Sequence, residues 1–67
     1  MKQITITAQT ANQRADKFMR KWLKEAPLSF IYKLFRKKDV KVNGKRITIE
    51  YILKENDILQ AYVHDDQ

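Results

Sequence analysis

A single proline divides the most strongly patterned part of this chain into two short amphipathic segments. In residues 14–26, apolar side chains recur at spacings of three and four residues, which places them on one face of a helix. A second segment, from Ser29 to about Lys37, repeats the pattern, and Ser29 is suited to cap its start. Because the residue before a proline avoids the helical region, we expect Pro27 to end the first helix and to leave a tight corner between two short helices. The apolar residues of the two segments are Ala15, Phe18, Met19, Trp22, Leu23, Ala26, Phe30, Ile31, Leu34 and Phe35.

Short alternating segments on either side of the helices predict a small antiparallel sheet. Residues 3–7 and 58–63 alternate polar and apolar side chains, as half-buried strands do. Residues 40–42 form a third such segment and run into Asn43-Gly44, a strong signal for a two-residue hairpin turn in which both positions require positive φ. Residues 45–49 return as the partner strand. The predicted order is β-α-α-β-β-β, an α+β fold in which a two-helix corner packs on a small antiparallel sheet with a β-hairpin.

Length and composition restrict the classes of function open to the chain. Its 67 residues suffice for one small domain, predicted over residues 1–67, and they include one glycine, one histidine (His64) and no cysteine. We therefore expect no metal site, no phosphate-binding glycine loop and no nucleophile–base pair. No apolar stretch approaches the roughly 20 residues of a membrane span. The expectation is a non-catalytic, cofactor-free domain that is located in the cytoplasm and has no membrane or small-molecule partner.

Charge is distributed unevenly along the chain, whose net charge is +6. Residues 1–49 contain thirteen lysines and arginines against three acids, whereas residues 50–67 contain one lysine against five acids. A fold that separates these two parts has a basic side and an acidic side, and a basic side attracts polyanions such as nucleic acids. A high lysine content also serves solubility alone, so charge by itself leaves both interpretations open.

The cations of the two predicted helices fall opposite their apolar faces, with only Asp16 and Glu25 to compensate them. If the helices pack through their apolar sides, these cations and the adjacent hairpin form one platform for phosphate groups. An ordinary solvated helix surface is the alternative. Tyr32 either stacks on an unpaired base or only covers its neighbours, and turn geometry alone explains Asn43-Gly44. The cations near one another on the predicted platform are Arg14, Lys17, Lys21, Lys33, Arg36, Lys37 and Lys38.

Two stretches of the sequence form a pattern specific enough to compare with known families. The first is Gln13-Arg14-Ala15-Asp16-Lys17-Phe18-Met19, and the second runs from Pro27-Leu28-Ser29 to Val42-Asn43-Gly44-Lys45. These stretches resemble the alpha-L RNA-binding module, which is named after ribosomal small-subunit protein S-four. The resemblance extends from about residue 12 to residue 63 and is strongest to the variety found at the N-terminus of ribosomal large-subunit pseudouridine synthases. Ala15 and Asn56 depart from the family pattern, since they stand where leucine and glycine are common.

The resemblance implies a domain that binds structured RNA, typically ribosomal, and positions it for a separate catalytic domain that isomerises uridine to pseudouridine. On this interpretation the chain itself is a monomeric RNA-binding domain and not an enzyme, and residues 64–67 are a linker to the missing catalytic domain. Carried over position by position, the expected RNA-binding residues are Arg14, Lys17, Ser29, Lys33, Arg36, Lys37, Lys41, Asn43 and Lys45.

Two alternatives stay open from the sequence. The first is a free-standing protein of the same module type that binds ribosomes or tRNA. The second is a β-grasp-like adaptor that binds proteins, because such domains share the Val42-Asn43-Gly44 and Asn56-Asp57-Ile58 pattern. Two adjacent helices between the first and second strands argue against a β-grasp domain, as does a C-terminus that lacks Gly-Gly.

Overall fold

A computed structural model describes residues 1–63 of the chain and places two helices between the first and second of four strands. This order confirms the predicted β-α-α-β-β-β arrangement and the α+β fold class. Neither helix within residues 1–63 is long and apolar enough to cross a membrane. The predicted linker, residues 64–67, lies outside the described residues. In chain order the elements are β1 (Lys2–Thr5), α1 (Ala15–Trp22), α2 (Leu28–Arg36), β2 (Val40–Val42), β3 (Lys45–Arg46) and β4 (Ile58–Ala61).

Strands β4 and β2 are the inner strands of an antiparallel sheet with the order β1-β4-β2-β3. In β4, Leu59 and Ala61 are buried, whereas Ile58 and Gln60 lie on the opposite face, as the alternation predicted. The strand ends at Ala61, two residues before the predicted end. The reason is local, because the Val63 N–H turns back to donate to the Ala61 carbonyl at 3.1 Å.

The two helices cover one face of this sheet, and the core lies between helices and sheet. The buried residues from the predicted apolar helix faces are Ala15, Phe18, Met19, Ile31, Leu34 and Phe35. They pack with the inward-facing sheet residues Val40, Val42, Leu59 and Ala61. Phe30 was predicted to join this core, but it is 37% exposed. It lies in the first turn of α2 and lines a surface depression together with Tyr62 and Val63, which follow the end of β4.

Helix α1 is shorter than the predicted segment 14–26 and ends at Trp22. The Leu23 N–H still makes a last helical hydrogen bond of 2.8 Å, but Leu23 has φ −107° and ψ 55° and leaves the helix. The Ala26 N–H then donates to the Leu23 carbonyl at 2.9 Å and closes a turn between the helices. The chain has therefore left α1 before it reaches Pro27, and the prediction that Pro27 ends this helix is wrong.

Pro27 instead precedes the first residue of α2, where its missing N–H costs nothing. Its carbonyl accepts the Phe30 N–H at 3.0 Å and the Ile31 N–H at 3.2 Å, and these hydrogen bonds begin the helix. The prediction that Ser29 caps α2 is wrong, because the helix begins at Leu28 and includes Ser29.

Strand β3 ends at Arg46 rather than at Ile49. The Ile47 N–H still donates to the Val40 carbonyl at 3.3 Å, but the residues after it leave the sheet and contact the start of α1. The Tyr51 carbonyl accepts the Ala15 N–H at 2.7 Å, and the Ile49 carbonyl accepts the Asp16 N–H at 3.3 Å. These backbone groups satisfy amides that a capping side chain would otherwise satisfy, and α1 has no side-chain cap. The loop after β3 is thereby held against the first turn of α1.

Of the remaining strands, β2 has the predicted bounds, whereas β1 agrees in position and differs in its ends. The Asn43-Gly44 turn has the predicted backbone, with φ of 53° and 83°. Strand β1 was predicted over residues 3–7 and ends at Thr5. Ile6 beyond it is buried and donates its N–H to the Asp57 carbonyl at 2.8 Å, so it pairs with a turn rather than with a strand.

Candidate nucleic-acid interface

The outer surface of α2 carries a group of exposed cations. Lys33, Arg36 and Lys37 are exposed, and so are Ser29 and Tyr32, as the helical spacing predicted. Lys33 and Lys37 are four residues apart and form one row on the helix, while Tyr32 and Arg36 form a neighbouring row. None of these cations takes part in an ion pair within residues 1–63. The helix therefore presents uncompensated positive charge in two rows.

The row of Tyr32 and Arg36 borders a shallow groove between α2 and the chain after β3, with a volume of about 480 Å³. Three cations of the lining are exposed, whereas its aliphatic residues and Phe35 are buried or half-buried. We call the eight lining residues the basic groove: Tyr32, Phe35, Arg36, Lys38, Arg46, Ile47, Thr48 and Ile49. Its cations thus surround a less exposed apolar surface.

The first turn of α1 adjoins the basic groove, because Asp16 donates its N–H to the carbonyl of Ile49, which lines the groove. Arg14 Nε lies 3.2 Å from Asp16 Oδ1, the one ion pair within residues 1–63. The Asp16 side chain is 9% exposed and also accepts the Lys17 N–H at 2.9 Å, whereas the Arg14 side chain is 52% exposed. An ion pair with so exposed a partner stabilises the fold little. Arg14 and Lys17 thus stand as exposed cations beside the groove.

Three of the predicted RNA-binding lysines lie near the end of β4 and not at the basic groove. They are Lys33, Lys37 and Lys41. Lys33 and Lys37 border a second depression on the other flank of α2, together with Asp39 and Tyr62. The Nζ atom of Lys41 lies 5.2 Å from the centroid of the Tyr62 ring, a cation–π contact. These lysines do not line the basic groove.

Of the nine predicted RNA-binding residues, Arg36 alone lines the basic groove. Arg14 and Lys17 adjoin it through α1, Ser29 is exposed in the first turn of α2, and Lys45 is exposed at the hairpin. The predicted single platform is therefore divided over two flanks of α2, because neighbouring rows of one helix face different directions. The RNA contacts of these residues stay predictions.

A buried carboxylate, that of Asp57, fixes the hairpin to the rest of the fold. Asn43 Nδ2 donates to its Oδ1 at 3.1 Å, while the Tyr51 hydroxyl and the Lys54 N–H donate to its Oδ2 at 2.9 and 3.0 Å. The Oδ1 atom of Asn43 in turn accepts the Ile58 N–H at 3.0 Å. Asn43 thus has a structural role in addition to its predicted RNA contact. We call Asn43, Tyr51 and Asp57 the carboxylate lock.

The carboxylate of Asp57 in this lock is ionised at neutral pH. Burial favours the neutral form of Asp57, but the hydrogen bonds from Lys54, Tyr51 and Asn43, together with the charge of Lys54, outweigh burial and hold the pKa of Asp57 below its ordinary value. Burial, the hydrogen bond with Asp57 and the negative charge of Asp57 raise the pKa of the Tyr51 hydroxyl. The lock therefore pairs an ionised Asp57 with a protonated Tyr51.

Lys38 and Arg46 line the basic groove, and neither is among the nine residues carried over from the family resemblance, although Lys38 belongs to the predicted platform of cations. Lys38 has φ 62°, in the left-handed region that commonly ends helices, so the chain turns there from α2 toward β2. Arg46 is the last residue of β3 and pairs with Lys41 across the hairpin. The sequence shows that both residues are basic, but only the path of the chain after α2 and β3 makes them neighbours.

The chain is similar to proteins named ribosomal large subunit pseudouridine synthase C. It is 49% identical to the protein of Escherichia coli (strain K12), 46% to that of Vibrio parahaemolyticus and 47% to that of Salmonella typhi, in each case over 57 residues. Each match covers 85% of this chain and 18% of the relative, so the chain corresponds to a small part of these proteins. No solved structure matches the chain.

The sequence profile of one family, described as S4 domain, matches residues 13–59. The match contains both helices, the hairpin, all eight residues of the basic groove and the carboxylate lock. It agrees with the resemblance to the alpha-L RNA-binding module and gives no support to a β-grasp adaptor. The chain therefore belongs to the S4 domain family of RNA-binding modules.

Proposed function

We propose that this S4 domain binds structured RNA through the basic groove and the cations beside it, and positions that RNA for a separate pseudouridine synthase domain. The observation that carries the proposal is the juxtaposition of Arg36 and Lys38 with Arg46 around one groove. None of these three side chains has an ion-pair partner within residues 1–63. Unpaired cations at close intervals are what a chain of phosphate groups requires.

The chemistry of the three groove cations suits a phosphate backbone. Arg36 and Arg46 each present a planar fork of N–H donors that binds two oxygens of one phosphate, and Lys38 adds a point charge. Such contacts set the orientation of an RNA without reading its sequence. Structured RNA supplies phosphates in a fixed arrangement, so its shape governs how many of these contacts form together.

The fold holds the cations in a defined arrangement before RNA binds. The carboxylate lock fixes the hairpin that contains Lys45 and Arg46, and the loop after β3 is held by the first turn of α1. Binding then orders mainly the long side chains, and a rigid frame lowers the entropic cost of association. A positioning module benefits in the same way, since RNA held in one orientation reaches a neighbouring catalytic site more often.

The names of the relatives support ribosomal RNA as the partner. We propose the cytoplasm as the location. Those relatives are pseudouridine synthases, and this chain matches 18% of their length. We propose that the isomerisation of uridine is performed by a domain corresponding to the part of the relatives that the chain does not cover. The role of the 67 residues is then to bind RNA and not to perform the reaction.

The affinity of the domain for a structured fragment of large-subunit ribosomal RNA is expected to fall steeply with salt. With about five phosphate contacts, log affinity against log salt has a slope of roughly −3.5 to −4.5. Fluorescence anisotropy titrations between about 50 and 200 mM salt measure this slope, with an unstructured oligonucleotide of equal length as the control. The control is expected to bind more weakly. An affinity that does not change with salt, or that is equal for both RNAs, contradicts the proposal.

A further inference from the structure

The basic groove combines exposed cations with an accessible apolar surface. Binding of the phosphate backbone of RNA requires only the cations. The buried or half-buried lining of the groove is apolar and consists of Phe35, Ile47 and Ile49, while the exposed lining includes three cations. Its volume of about 480 Å³ lies within the roughly 300–1,000 Å³ of small-ligand sites. A site for phosphates alone needs the cations and has no use for an accessible apolar surface beneath them.

Tyr32 provides an aromatic wall of this groove, and its ring is not stacked on another ring within residues 1–63. It is 36% exposed, and within residues 1–63 no ring pair and no cation–π pair involves it. Tyr62, which is exposed to a similar degree, instead lies under the Lys41 ammonium group. Since Tyr32 stands one helical turn before Arg36 on the same row, an aromatic surface and a guanidinium border the groove together.

We propose that the basic groove accepts one unpaired nucleotide of the bound RNA. The base stacks on Tyr32 above the apolar lining, and its flanking phosphates bind Arg36, Lys38 and Arg46. The combination selects a nucleotide, because an apolar peptide side chain does not use the three cations and a paired helix does not expose the face of a base. This inference rests on the proposed RNA-binding function and adds the unpaired nucleotide as the element that is recognised.

The test compares two RNA hairpins that share one stem and are closed by a non-nucleotide linker, so that neither has loop bases. The stem of the first is fully paired, and the stem of the second carries a single unpaired nucleotide. The unmodified domain is expected to bind the second hairpin more tightly. Tyr32→Ala is expected to weaken binding of that hairpin about 5- to 100-fold, the loss of one stacked base, and to leave the paired hairpin unaffected. Tyr32→Phe keeps the ring and is expected to keep the preference. Phe30→Ala is the matched control, since Phe30 is an aromatic residue of the same helix with 37% exposure and lies outside the groove.

The outcomes separate this inference from the proposed function. If the unmodified domain binds both hairpins equally, or if Tyr32→Ala weakens both by the same factor, the groove does not take up an unpaired base and the inference is overturned, while salt-dependent RNA binding stands. If the unmodified domain binds neither hairpin, the proposed function itself fails. Thermal melting of each variant shows whether a loss of binding reflects a loss of folded protein.

Discussion

Replacement of Asp57 by asparagine is expected to lower the melting temperature of the domain by about 10–20 °C at neutral pH. Three donors from Asn43, Tyr51 and Lys54 converge on this buried carboxylate. In the variant, the side-chain nitrogen of the asparagine replaces one carboxylate oxygen. Its N–H groups then face at least one of these three donors, so two hydrogen-bond donors oppose each other inside the fold. Hydrogen bonds to a charged acceptor contribute about 1.5–3 kcal/mol each, so a loss of about 2–3 kcal/mol in the free energy of unfolding is expected. Calorimetry or circular dichroism measures the change.

The same substitution is expected to alter the response of stability to acid. The pKa of Asp57 is lower in the folded state than its ordinary value, so its contribution to stability is present above the ordinary value and disappears as the pH falls through the folded-state pKa. The difference in melting temperature between the unmodified domain and Asp57→Asn should therefore shrink below about pH 4. Glu55→Gln, which neutralises a neighbouring exposed acid, is the control. A variant as stable as the unmodified domain at pH 7, or a difference that is constant down to pH 2, would show that the lock is not ionised or not stabilising.

Reversal of two groove charges, in the double variant Arg36→Glu and Arg46→Glu, is expected to weaken RNA binding by about 100-fold or more near physiological salt. Each arginine represents one charge-assisted phosphate contact, and the salt slope should become shallower by about 2 when both contacts are lost. Both side chains are exposed and outside the core, so the fold should be retained. Anisotropy titrations at several salt concentrations give both quantities.

The matched control for this variant reverses the same number of charges at another edge of the molecule. Lys2 and Lys24 border a depression at the end of α1 that shares no residue with the basic groove. Lys2→Glu combined with Lys24→Glu changes the net charge equally and should weaken binding only slightly, through the long-range field. Equal losses for the two double variants would mean that net charge, and not the groove, determines the affinity.

Patterns local in sequence were enough to predict the helix faces and the hairpin. The spacing of Phe18 and Met19 in α1, or of Ile31 and Leu34 in α2, depends on 3.6-residue geometry, and positive φ at Asn43-Gly44 depends on two residues. The ends of elements were predicted less well, because they depend on partners that are distant in the chain. Strand β3 stops at Arg46 since the following loop satisfies the first amides of α1, a contact that no local pattern reveals.

In the candidate site, too, the exposure of helix residues was predictable from local spacing, whereas the neighbours of each residue were not. Exposure of Arg36 and Lys33 followed from their positions on a helix, but their assignment to different flanks required the sheet register and the position of β4. No local pattern indicates that Asp57 is buried, because acids in a turn before a strand are ordinarily solvated. The lock forms from residues that are 6 to 14 positions apart. They lie in the hairpin, in the loop after β3 and in the turn before β4, which only the fold brings together.

The most direct test of the central claim, that RNA binds at the basic groove, is a map of amide chemical shifts by NMR during titration with a structured ribosomal RNA fragment. The largest changes are expected at Tyr32, Arg36, Lys38 and Arg46, with smaller ones at Arg14 and Lys17 and little change at Lys2 and Lys24. Changes centred on the open face of the sheet around Gln3 and Gln60, or spread evenly over all exposed cations, would contradict the claim.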